Sequence, residues 1–180
     1  MKEEQEFIQR LISKETKEAA FNELLQLYKE RLYWHIRHIV KSHDDADDVL
    51  QNTFIKVHRS IHNFKGDSKL FSWMYRIAIN ESITHINKNS KRLQLSSEDY
   101  QNQTINNLKA DIYFEGEDIK IQLQKAIATL PNKQQLVFNM KYFEDIKYKD
   151  MADILDTSEG ALKASYHIAV KKIEAFLTKD

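Results

Sequence analysis

Apolar residues in the first half of the chain return at steps of three and four. Phe21, Leu24, Leu25, Tyr28, Leu32, Ile36 and Ile39 fall on one face of a helix. Ser42-His43-Asp44 interrupts that pattern, and Asp44 or Asp45 is placed to cap a second helix carrying Ala46, Val49, Leu50, Phe54, Val57 and Ile61 inward. His62 to Ser68 reads as a loop, with Gly66-Asp67 as its turn and Ser68 as the cap of a third helix. That helix runs to about Asn87, with Leu70, Trp73, Met74, Ile77 and Ile83 expected inside. The pattern then fades. Asn, Gln, Ser and Lys dominate from Asn89 to about Gly116, apolar residues stand singly at Leu95, Tyr100 and Ile105, and Tyr113-Phe114 is a pair able to dock locally.

Periodicity resumes near Glu117 with Ile119, Leu123, Ala126, Ile127 and Leu130, and Pro131 ends that helix. Asn132 is expected to cap the next, which holds Leu136, Val137, Met140 and Tyr142. A turn at Glu144-Asp145 leads to a short helix from Tyr148 to Leu155 and a last one from Ser158 to about Leu177. No strand-like alternation and no internal repeat occurs. The expected fold is all-α: two small helical domains, 1–90 and 117–180, joined by a polar flexible linker, 91–116.

Composition supports this reading. Three glycines and one proline leave few places for tight turns, so helices are favoured. No window nears the roughly 18 apolar residues of a membrane span, and the opening MKEEQEF is too acidic for a secretory signal, so a cytoplasmic location is expected. The absence of cysteine excludes disulfides and thiolate metal sites. With 27 basic and 27 acidic residues the formal charge is zero, which argues against coating nucleic acid by bulk electrostatics. Tight DNA binding would need a partner.

Two stretches carry chemistry. Between Phe64 and Asn80 a polar loop enters a helix with aromatics on more than one side, amid Lys65, Lys69, Arg76, Lys88, Lys91 and Arg92. Positive charge holds a phosphate backbone, while rings and a loop pocket receive unstacked bases, so this stretch points to single-stranded or melting DNA. Trp73, spaced with Leu70 and Ile77, is assigned to the core rather than to stacking. Near the C-terminus, Tyr148 to His167 has the layout of a helix-turn-helix. Met151, Leu155 and Leu162 face its core, Ala152 allows close approach, and Asp156-Thr157-Ser158 supplies the turn. Glu159, Lys163, Ala164, His167, Lys171 and Lys172 then point outward.

Two rival readings exist. One is a free-standing helix-turn-helix regulator. The other is a metal-dependent hydrolase built from Asp44, Asp47, His58 and His62, but no HExxH pattern and no phosphate loop accompanies them. Acidic residues at a helix start are explained by the helix dipole. No catalytic residue, metal, cofactor or small-molecule substrate is assigned.

Together these features resemble an extracytoplasmic-function (ECF) sigma factor, the small two-domain class of sigma-70 specificity subunits of bacterial RNA polymerase. The strongest parts are Asp45 to Val57, Phe64 to Asn80, and Leu130-Pro131 with the helix-turn-helix. The resemblance implies a transcription initiation factor that binds RNA polymerase core, reads promoter minus-ten and minus-thirty-five elements, and promotes strand opening. It implies that Asp45, Asp48, Gln51 and Asn52 dock on the clamp helices of the polymerase large subunit. Asn63, Lys65, Gly66, Asp67 and Ser68 would form the pocket for a flipped minus-ten base, with Ser72, Arg76 and Asn80 on the non-template single strand. In the second domain Lys163, Ala164, Ser165 and His167, with Glu159, would meet the double-stranded minus-thirty-five element, and Lys147, Tyr148 and Lys149 the phosphate backbone. Ser165 and Ile168 stand where many members are basic. An anti-sigma factor is a further implied partner.

Overall fold

The computed structural model describes residues 2–96, 99, 103, 105 and 118–178. Most of the expected linker, including Tyr100 and the Tyr113-Phe114 pair, lies outside the described residues.

Among the described residues there are eight α-helices and no strand. The first unit holds α1 (Lys2–Ile12), α2 (Lys17–Val40), α3 (His43–Ser60) and α4 (Leu70–Arg92), with a short 3-10 turn at Ile61–Asn63. Helices α2, α3 and α4 pack mutually, and α1 lies against α2 and the 3-10 turn. Sequence periodicity did not isolate α1, whose single deep anchor is Leu11 with Phe7 and Ile8 half-buried beside it. The buried stripe of α4 is Leu70, Met74, Tyr75, Ala78, Ile79, Ser82 and Ile86. This corrects the expected face: Trp73 and Ile77 are half-buried at its edge, and Ile83 is exposed.

The caps also differ from expectation. Ser42, not Asp44 or Asp45, caps α3, its hydroxyl accepting from the Asp45 N–H at 3.4 Å. Lys69, not Ser68, occupies the cap position of α4, and no side chain of its own segment satisfies the first turn. Instead the Glu4 carboxylate of α1 accepts from the Leu70 N–H at 2.9 Å. A carboxylate there also complements the positive end of the helix dipole. Helix α2 stops at Lys41, which adopts a left-handed conformation (φ 65°) and donates its N–H to the Arg37 carbonyl.

The second unit holds α5 (Asp118–Ala128), α6 (Asn132–Tyr142), α7 (Tyr148–Leu155) and α8 (Glu159–Leu177). Pro131, rather than Asn132, sits at the cap of α6, where its fixed φ suits a helix start. Helix α8 packs on α5, α6 and α7, around Ala126, Ile127, Leu130, Phe138, Ala169 and Ile173. Ile119 and Tyr142, expected inside, are exposed. Ile105, a lone apolar residue of the expected linker, is helical and buried beside Ile121, so at that point the connector is tied down.

Beside its own cluster around Ala126 and Phe138, the second unit shares part of its core with the first. Val137, Met140, Ile146, Met151, Ile154 and Leu162 of the second join the cluster built on Leu24, Leu32, Ile36, Leu70, Met74 and Tyr75 of the first. The seam runs between α4 and α7, with α6 against α2.

Met74 is wholly buried at the centre of this cluster. Met74→Ala is expected to lower unfolding free energy by about 2–5 kcal/mol, read as an earlier denaturation midpoint at unchanged slope.

Candidate nucleic-acid and protein interfaces

Helix α3 presents one polar stripe. Asp48, Gln51 and Asn52 are exposed at three- and four-residue steps, while Val49, Leu50, Thr53, Phe54 and Val57 are buried on the other side. Ile55, 49% exposed, falls within the same stripe. Sequence reasoning missed it, although its spacing from Asp48, Gln51 and Asn52 was available. It is the one large apolar side chain on that stripe. Asp45 departs from this group. It is half-buried and accepts from the His85 ring at 2.8 Å, which ties α3 to α4.

The loop between the 3-10 turn and α4 exposes Asn63, Lys65, Gly66 and Asp67, with Ser68 half-buried. Gly66 has φ 79°, and a Cβ there would meet nothing within 4 Å. Conformation rather than crowding therefore calls for glycine, and the open space beside it is accessible to a ligand. Gln5, Gln9 and Ile12 of α1 face Phe64, Lys65 and Gly66 across a cleft of about 690 Å³. The Phe64 ring rests on Trp73 at 5.3 Å, which explains why Trp73 sits at the edge of the core.

Lys69, Ser72, Arg76 and Asn80 lie along one face of α4, at helical steps of three and four. Asn80 is exposed. Ser72 is buried, and its hydroxyl has no hydrogen-bond partner in the protein. As placed here Ser72 cannot touch DNA, a departure from its expected role. Lys69 donates to Asp150 at 2.6 Å, and the Arg76 guanidinium donates to the Asp153 carbonyl, both on α7.

The helix-turn-helix is formed by α7 and α8. Asp156 takes the left-handed turn position (φ 49°) commonly held by glycine, and Ser158 caps α8 by accepting from the Ala161 N–H at 3.3 Å. Met151, Ile154 and Leu162 are buried, so Ile154 takes the deep place expected for Leu155. On α8, Gly160, Lys163, Ala164, His167 and Lys171 form one exposed stripe. Ser165 falls off this stripe and is half-buried, because the α8 turn carries it round towards the packed side. Glu159 pairs with Lys163 at 3.8 Å. Tyr148 is flanked by Lys141 and Lys163, at 5.7 and 5.6 Å from its ring, and the exposed Lys147 and Lys149 adjoin it. This basic collar around an aromatic ring suits a phosphate backbone. Lys172 is turned away, donating to Gln134 at 3.2 Å.

Polar groups also bind the two units together. Glu144, on the turn before α7, is buried and links the His35 ring (2.7 Å) of α2 to the Tyr75 hydroxyl (2.8 Å) of α4. Burial, then the Glu144 charge, pushes the Tyr75 phenol well above its usual range. Buried Lys41 donates to Gln124 at 2.7 Å, and Asn139 donates to the His38 carbonyl at 3.1 Å. Burial, then the charge of Arg37, brings Lys41 down to about 7. His38 stacks on Phe143 at 4.3 Å. Its burial, reinforced by Lys41, lowers it to about 3.

The residues of the hydrolase reading do not assemble. His58 lies edge-on to Phe21, and no group of three metal-capable side chains forms among the described residues.

Residues 24–92 match the family model for Sigma-70 region 2, and residues 120–173 that for Sigma-70 region 4. The ECF RNA polymerase sigma-E factor of Haemophilus influenzae is 29% identical over 163 residues, covering 86% of each chain. A solved structure of CnrH in complex with the cytosolic domain of CnrY matches with a TM-score of 0.70 at 18% identity, covering 97% of this chain and 96% of that one. The sigma factor RpoE from Bartonella quintana, in complex with the anti-sigma factor NepR, matches with a TM-score of 0.65 at 20% identity, covering 89% and 98%. The chain belongs to the sigma-70 family, in its ECF class, and is a transcription initiation factor. No helix among the described residues is long and apolar enough to cross a membrane.

His38 and Lys41 both give stability that rises with pH. An unfolded chain protonates His38 below about 6.5, whereas the folded chain resists until about 3, so the His38 contribution falls as pH drops through that window. For Lys41 the same sign applies between about 7 and 10.5. His38→Gln is therefore expected to flatten the urea-stability profile between pH 6.5 and 4, removing a slope of up to about 1.4 kcal/mol per pH unit. An unchanged profile would mean that His38 is not held neutral.

Proposed function

We propose that this chain binds RNA polymerase core through the α3 stripe of Asp48, Gln51, Asn52 and Ile55, and so directs the enzyme to promoters. The observation that supports this most is that stripe itself: three exposed polar groups and one exposed apolar side chain on a helix whose other side is fully used by the core. Asp45, paired with His85, serves chiefly to fix the start of α3 on α4.

The open loop around Gly66 takes a base flipped from the minus-ten element, and Lys65, Arg76 and Asn80 hold the non-template strand beside it. Extracting a base costs roughly a few kcal/mol, which capture in the loop offsets. The α8 stripe of Lys163, Ala164 and His167 enters the major groove of the minus-thirty-five element, with Lys147 and Lys149 gripping phosphate. Neither unit carries enough charge to hold duplex DNA alone at physiological salt. Polymerase fixes their separation, and two weak contacts become one bivalent grip. No step requires covalent chemistry, so the role is non-enzymatic and suited to the cytoplasm. The solved relatives of the same fold are bound to CnrY and NepR, and an anti-sigma partner for this chain is proposed by analogy.

Purified core polymerase should retain the protein in a pull-down, and a clean failure to associate would refute this reading. Asp48→Arg is expected to weaken that association at least tenfold, about 1.4 kcal/mol, without altering helix content. Asn80→Ala is expected to slow promoter opening, followed by permanganate reactivity, more than it weakens the initial closed complex. Selective operator binding by the isolated chain, with no response to polymerase, would instead favour a free-standing regulator.

A further inference from the structure

We infer that α1 is the second wall of the base-receiving site, and that Glu6 and Gln9 on it decide which base enters. The bases selected are adenine and cytosine, which carry an amino group where guanine and thymine carry a carbonyl. This deepens the reading of the Gly66 loop given above and rests on it. That reading draws only on the loop and on α4. The cleft of about 690 Å³ beside Gly66 has an opposite side, and every residue lining that side belongs to α1. Its volume is within the range of about 300–1,000 Å³ that holds small organic ligands.

A base turned out of its strand needs apolar surface for its faces and polar atoms for its edge. Phe64 offers a half-buried ring backed by Trp73 at 5.3 Å, and Ile8 and Ile12 offer aliphatic surface from α1. Glu6 and Gln9 also line the cleft. Three residues apart, they are neighbours on the helix surface, and both are exposed.

Glu6 sets the sign of the choice. A carboxylate only accepts hydrogen bonds. It receives the amino group of cytosine or adenine and repels the carbonyl oxygen of guanine or thymine. The Gln9 amide, which can donate, meets the adjoining ring nitrogen. The charge on Glu6 also disfavours phosphate, which leaves the strand to Lys65 on the loop side and admits the uncharged base alone.

A wall that discriminates must hold still. Leu11 is wholly buried, Glu4 accepts from the Leu70 N–H, and Arg10 pairs with Glu23 of α2 at 2.7 Å. The Thr16 hydroxyl donates to the Arg10 carbonyl at 2.8 Å and secures the C-terminal end. Glu6 and Gln9 take no part in these attachments, so their replacement tests recognition rather than folding.

The test uses the full chain with core polymerase on a promoter library randomised across the minus-ten element, with transcripts sequenced. The wild-type chain should favour adenine or cytosine over guanine and thymine at one position, by about fivefold or more. Glu6→Gln, whose amide donates to a carbonyl as well as accepting, should abolish most of that preference. Gln9→Ala should weaken it less, and both variants should leave base preference at the other positions as it was. Both should unfold at the wild-type temperature, as exposed substitutions do. Variants that match the wild type at every position overturn the α1 wall alone, and so does a wild-type preference for guanine or thymine at the position that Glu6→Gln alters. A wild-type chain that selects no base anywhere in the library overturns the assignment of the Gly66 loop to promoter DNA, and the wall with it.

Discussion

One buried carboxylate organises the arrangement of this protein. Glu144 belongs to the second helical unit, yet both of its partners, His35 and Tyr75, belong to the first. A carboxylate withdrawn from water is strongly unfavourable unless hydrogen bonds compensate it. Its two oxygens therefore dictate how α2, α4 and the turn before α7 must meet. The apolar side chains around it, Met74, Met151 and Ile154 among them, would tolerate several packings of two helical blocks. Hydrophobic burial supplies the drive, and the polar triad selects the register.

From that register the functional surfaces acquire their different states. The α3 stripe lies away from the seam and leaves Asp48, Gln51, Asn52 and Ile55 exposed. The α8 stripe is likewise outward. The α4 face is the exception, since the same helix supplies a wall of the first core on one side and a bearing surface for α7 on another. Lys69 and Arg76 both bond α7 there, beside the apolar contact of Met74 with Met151 and Ile154.

Much of this was legible in the order of residues. The periodicity of apolar positions located α2, α3 and the helices of the second unit, and the run from Asp156 to Ser158 marked the turn of the helix-turn-helix. Of the residues that the family resemblance singled out, Asp48, Gln51 and Asn80 are exposed, whereas Asp45 and Ser165 are half-buried and Ser72 is buried. What periodicity could not reach were contacts made across the fold. A cap in which Glu4 accepts from the N–H of Leu70, 66 residues away, has no local signature. Neither has the pairing of Asp45 with His85, nor the burial of Ser72, a small hydroxyl that reads as surface until another helix lies over it. The inner face of α4 was misjudged for a related reason. Tyr75 and Ser82 look polar in a sequence, but a helix wrapped on several sides must bury part of its polar complement.

The attachment of α1 has a bearing on the loop around Gly66. Because Lys69 offers no side-chain cap, the point at which loop becomes α4 is defined by a carboxylate from the opposite end of the unit. The mouth beside Gly66 is likewise bounded by α1 on one flank. Helix α1, remote in sequence from α4, thereby serves as the jamb against which the loop hangs. Its detachment would draw Leu11 out of the core and let the mouth widen and the first turn of α4 fray together.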